Sequence, residues 1–120
     1  MKMLANVLVG LIAVEHVWIM ILEMFLWTHP IALRAFGQSP DAAQSSRLLA
    51  ANQGLYNGFL AAGLAWGLLT DDASFKLFFV SCVLAAGLYG GITVKRSILV
   101  VQALPALIAL LLLLLLLLSR

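Results

Sequence analysis

The sequence predicts an all-α fold: an antiparallel bundle of four transmembrane helices with a short interfacial helix in the first loop. Three observations carry this. Hydrophobic residues make up 64% of the 120 and charged residues 10%, where a soluble domain carries about 25% charge. Mean hydropathy is +1.11. Four apolar runs, about residues 3–27, 47–69, 75–93 and 97–118, fall within the roughly 17–25 residues a helix needs to cross a hydrocarbon core. In lipid each backbone amide must find a partner within its own segment, so each run should be helical. None alternates polar and apolar residues as a membrane-barrel strand would. The length suits a single integral-membrane domain, residues 1–120.

The first run reads as a retained helix. Its length, its two carboxylates and the bulky Met24-Phe25-Leu26-Trp27 all oppose a cleaved signal peptide. Next comes the longest connection, Thr28 to Ser46. Within it Pro30 opens and Gly37 closes an apolar hexapeptide, Ile31 to Phe36, as expected of a short helix lying in the interface. Ser39 and Pro40 provide a cap and first position for a further turn. Thr70–Ser74 and Val94–Arg96 are tight links, which force antiparallel neighbours. Ala109–Leu118 is nearly pure leucine and reads as a greasy or lipid-facing segment.

Lys and Arg lie mostly near the ends of apolar runs and read as interfacial anchors. On the side of the termini these are Lys2, Lys76 and Arg120; on the other, Arg34, Arg47, Lys95 and Arg96. The positive-inside rule thus weakly places the long loop in the cytoplasm. A net charge of +2 gives no reason to expect nucleic acid. Cys82 is the sole cysteine, so neither an internal disulfide nor a cysteine metal site can form. Trp18, Trp27 and Trp66 read as interface and packing residues, and Met20 and Met24 as core.

Against this background, Glu15, His16 and Glu23 stand out inside the first apolar run. A charge at the bilayer centre costs about 2.5–3.5 kcal/mol on insertion scales. Such residues must be sheltered, and intramembrane ionisable groups default to a functional reading. The second run adds Asn52, Gln53, Tyr56 and Asn57, the third Tyr89 and the fourth Gln102. From the 1.5 Å helical rise, Glu23, Asn52, Gln53, Tyr89 and Gln102 lie at one level, roughly 6–9 Å below the long-loop surface. His16 and Asn57 lie deeper, at roughly 15 Å. The expected arrangement is a polar pocket open toward the long loop, its ligand- or proton-binding residues being Glu15, His16, Glu23, Asn52, Gln53, Tyr56, Asn57, Tyr89 and Gln102. The competing reading is that the amides and tyrosines only tie helices together, at about 0.6 kcal/mol each. Gly54/Gly58 and Gly63/Gly67 are small-xxx-small pairs, serving contacts within the bundle or between copies in a homo-oligomer.

No metal or cofactor is expected. Adjacent Glu15 and His16 diverge by about 100°, and only one run carries carboxylates, unlike the Glu-x-x-His pairs of di-metal bundles. No Ser or Cys has a recognisable base at useful spacing. A membrane-embedded Glu in the first of four short helices looks like the small multidrug transporters, although the Asn-Gln-Gly-Leu-Tyr-Asn run departs from their pattern.

A fuller match is carried by Glu15-His16, Glu23 to Trp27, Asn52-Gln53-Gly54-Leu55-Tyr56-Asn57-Gly58-Phe59, Gly87-Leu88-Tyr89-Gly90 and Gln102 to Ala106. In order and spacing this resembles the small integral-membrane family catalogued as domain of unknown function 1304, along essentially the whole chain. The resemblance implies a bacterial-type four-helix membrane protein and no particular activity. The leading expectation is a multi-pass protein of the cytoplasmic membrane that binds or transports a small molecule or proton, with the lipid bilayer as its main partner. The alternatives are a membrane enzyme doing acid–base chemistry on a lipophilic substrate, with Glu15 or Glu23 as the acid–base group, and a purely structural subunit.

Overall fold

The computed structural model describes residues 1–120. It is all-helical, without strands: α1 (Lys2–Phe25), α2 (Pro30–Phe36), α3 (Pro40–Ser45), α4 (Arg47–Leu69), α5 (Ala73–Thr93), a π-helical turn (Leu99–Ala103) and α6 (Leu104–Leu118). Three segments are long and apolar enough to cross a membrane: α1, α5, and the π turn with α6 (Leu99–Leu118). At 23 residues α4 has the length, but its Asn, Gln and Tyr residues dilute its apolar character, so it does not join them.

The loop helices form as their punctuation dictates. Pro30 sits in the first turn of α2, and the His29 ring accepts the Ile31 N–H at 3.2 Å. Gly37 ends the helix at φ 64°, a left-handed conformation that costs glycine nothing. In α3, Pro40 again opens the helix, and the Ser39 hydroxyl accepts the Ala42 N–H at 3.2 Å.

The link between α4 and α5 is shorter than the spacing of apolar residues suggests, because Asp72 caps α5. Its carboxylate accepts the backbone N–H groups of Ser74 (2.8 Å) and Phe75 (3.3 Å). An acidic residue just before an apolar run is an ordinary start signal. The π turn was not anticipated. Pro105 has no N–H to offer the Val101 carbonyl, and its ring would crowd that oxygen in a regular helix. Wider winding relieves the crowding, and the Leu104 N–H bonds the Leu99 carbonyl.

By packing, the chain divides into two compact units. The first comprises Met1–Ala13 and Leu60–Arg120. Its core takes Ala5, Val9 and Ile12 from α1, Leu64 from α4, Val80 and Val83 from α5, and Ala106, Ala109 and Leu113 from α6. Gly63 and Gly67 face Phe79 and Lys76 of α5, so this small-residue pair serves contacts within the chain. The second unit is Val14–Phe59. There Trp27, Ala43 and Ala50 form a small core with Leu33 against it. Trp27 is buried, meets Phe36 ring to ring at 4.8 Å, and donates its indole N–H to the Ser46 hydroxyl at 3.1 Å. Trp18 and Trp66 remain exposed.

One sequence reading needs correction. Lys76 does not reach out to solvent as a snorkelling anchor would: it is 3% exposed, and its ammonium donates to Asp71 (2.9 Å) and Asn6 (3.0 Å). Lys2 reaches the other oxygen of Asp71 at 2.6 Å. Asp71 sits at φ 50° in the link, a region aspartate tolerates better than most residues. The Lys2 hydrogen bond, then the hydrogen bond and charge of Lys76, pull its carboxyl from an ordinary 3.8 down to about 2. A depressed folded-state pKa stabilises the fold fully above the unfolded value and loses that effect as pH falls through the folded one. In detergent the melting temperature should therefore drop between about pH 4 and pH 2. Asp71→Asn, which suits the same backbone, should flatten that part of the profile.

Candidate functional site

Local geometry in the second unit places two polar side chains of different helices together. On α4, Gly54 and Gly58 lie one turn apart and face α1. A Cβ at Gly54 would sit 2.6 Å from Met24 Cγ, 3.0 Å from Glu23 Cβ and 3.2 Å from the Met20 carbonyl. One at Gly58 would meet Met20 Sδ at 2.7 Å. At Gly54 the Glu23 Cβ and the Met20 carbonyl leave no room for a side chain, whereas at Gly58 the obstacle is the flexible Met20 side chain; close approach is the role expected of a small-xxx-small pair. Here, too, the pair serves contacts within the chain.

The close approach brings Asn57 of α4 to Glu23 of α1. The Asn57 amide donates to Glu23 Oε1 at 2.5 Å and to the backbone carbonyl of Gln53 at 3.3 Å. Glu23 is 6% exposed and Asn57 half-buried. Depth counting from the sequence placed Asn57 one level below Glu23, beside His16. The structure pairs it with Glu23 instead, because the facing helices set relative heights that loop ends do not.

The remaining candidates are distributed as follows. His16 is completely buried in α1. Glu15, next to it, is half-buried, and its Oε1 is shielded from solvent with no hydrogen-bond partner. Asn52 and Gln53 are exposed. Tyr56 is exposed as well, with its ring 6.0 Å from that of Phe59. All these residues belong to the second unit, whereas Tyr89 and Gln102 belong to the first. Tyr89 is 73% exposed on α5, and Gln102 is half-buried within the π turn. Glu23 and Asn57 thus make a direct polar contact, supported by the Gln53 backbone. Sequence reading missed the polar cluster of Lys2, Asn6, Asp71 and Lys76 in the first unit. Its signal was an Asp-Asp pair in a tight link followed at short range by a lysine inside an apolar run.

These features define a small all-helical protein with three helices apolar enough to cross a bilayer and a buried carboxylate held by a carboxamide. The chain belongs to the family described as "Protein of unknown function (DUF1304)", whose pattern matches residues 10–114. It is also similar to "Uncharacterized protein YpaA" of Lactococcus lactis subsp. lactis (strain IL1403), with 31% identity over 114 residues covering 91% of this chain and 95% of that one. No solved structure matches the chain.

Proposed function

We propose that this chain is a multi-pass protein of the cytoplasmic membrane, with α1, α4, α5 and α6 as four spans, and that it binds a proton or small molecule at the carboxylates of α1. The four-span reading is supported by the first unit's core, to which all four long helices contribute, and by the sufficient length of α4. The site reading rests on one observation above the others: Glu23 is buried in an apolar helix and takes a hydrogen bond from Asn57 across the helix pair. A carboxyl in lipid is costly unless sheltered. A carboxamide can donate its N–H₂ to the carboxylate or offer its C=O to the protonated acid. The pair therefore accommodates both charge states. Glu15, with its unpartnered oxygen, supplies a second acidic group two turns away on the same helix.

The proton itself is the probe for the test. Infrared difference spectra of the full chain in liposomes, recorded between acidic and alkaline pH, should contain a protonated-carboxyl band that Glu23→Gln removes. Liposomes carrying the protein should also pass protons under an imposed gradient, and Glu23→Gln should abolish that flux. A spectrum and a flux both unchanged in Glu23→Gln overturn the assignment and favour a pair that merely fastens α1 to α4.

A further inference from the structure

A second polar cluster stands apart from the Glu23–Asn57 pair, in the first unit where the link from α4 to α5 meets α1 and α6. It borders a cavity of about 150 Å³. Its lining combines Lys2, Asn6, Lys76 and Arg120 with Leu113 and Leu117 of α6.

The charges do not balance. Lys2 and Lys76 share the carboxylate of Asp71, and Arg120 adds a further basic residue to the lining. Asp72 spends its carboxylate on the first N–H groups of α5. The lining itself thus carries three basic side chains and no acidic one, the carboxylates of Asp71 and Asp72 lying outside it. The lysines also keep donors in reserve, since an ammonium has three. Lys76 gives one to Asp71 and one to Asn6, and Lys2 gives one to Asp71. Asp71 and Asn6 hold the Lys76 ammonium in place although its stem is buried.

The apolar wall is equally informative. Leu117 lines the cavity and is also 46% exposed, and the neighbouring Leu118 is 82% exposed. Leucines of α6 thus run from the cavity lining to the exposed surface of the helix. A free inorganic anion would match the basic groups and gain nothing from that face. A phospholipid matches both, with its headgroup on the cations and its acyl chains along the leucines. Clustered Lys and Arg side chains are the electrostatic complement of an anionic headgroup.

We infer that this cavity is a binding site for an anionic phospholipid, with the phosphate held by Lys2, Lys76 and Arg120 and the acyl chains running along α6 from Leu117. The site is separate from Glu23 and does not depend on the function proposed for it.

The test uses the full chain in a neutral detergent, titrated with short-chain phosphatidylglycerol, with phosphatidylcholine of equal chain length, and with inorganic phosphate. Native mass spectrometry and thermal shift are the readouts. Phosphatidylglycerol should remain bound and raise the melting temperature, with phosphatidylcholine and phosphate far behind. Lys2→Gln and Arg120→Gln should each weaken phosphatidylglycerol by about fivefold, and Lys2→Arg should restore it. Equal binding of phosphatidylcholine overturns the proposal, as does phosphate binding as well as the lipid. Undiminished phosphatidylglycerol binding by a chain carrying both Lys2→Gln and Arg120→Gln does so too, as does a loss in Lys2→Gln that Lys2→Arg fails to restore.

Discussion

Asn57→Leu is expected to destabilise the protein by about 1–3 kcal/mol, the cost of leaving a buried acceptor without its donor. The substitution is close in volume, so the loss would come from the Glu23 carboxyl, which Asn57 meets at 2.5 Å. Thermal unfolding in detergent measures it. The decisive comparison is with a chain that carries Glu23→Leu as well. Replacing both partners of a buried hydrogen bond by apolar groups can be nearly neutral. The double variant should therefore be more stable than Asn57→Leu alone, with a coupling of about 0.5–3 kcal/mol. If the two losses simply add, the contact is not an energetic pair, and the site built on it loses its foundation.

Gly87→Val carries the second large effect, in the first unit. A Cβ at Gly87 would lie 2.8 Å from the backbone nitrogen of Ala103 and 3.0 Å from its Cα. The obstacle is backbone, so no rotamer change can clear it. Overpacking costs about 1–3 kcal/mol and occasionally more, and this site belongs at the upper end. Gly90 on the same helix is the control. A Cβ there meets only the Ile98 side chain, at 3.5–3.6 Å. Gly90→Ala should be neutral or should stabilise by up to about 1 kcal/mol through helix propensity. Melting temperatures of the two variants should move apart; similar losses in both would show that α5 does not approach the π turn this closely.

The legible parts of this fold are those in which one local rule decides. Pro30, Gly37 and Pro40 fix the two loop helices through backbone geometry, and Ser39 through its side-chain cap. The long apolar runs point to long helices, because in lipid a backbone would have to satisfy itself. Chemical type alone was enough to single out Glu23 and Asn57 as candidates. Their partnership was not readable, since it depends on how far α4 slides along α1. Nor was the burial of Lys76 readable, because a lysine near a helix start looks like an anchor until Asp71 and Asn6 are found around it.

From the amino-acid order alone come the helical class, the membrane-like composition, the family and the short list of polar residues. The family rests on a likeness of motifs along the whole chain; the others follow from local composition or from backbone rules that act within a few residues. Tertiary structure decided which of those residues meet. It placed Asn57 on Glu23, left Tyr89 exposed, and surrounded the Lys76 ammonium with acceptors. The reason is steric: glycines at positions 54, 58 and 87 set how closely and at what height helices pack. That height, more than distance from a loop, determines which side chains come within a hydrogen bond of one another.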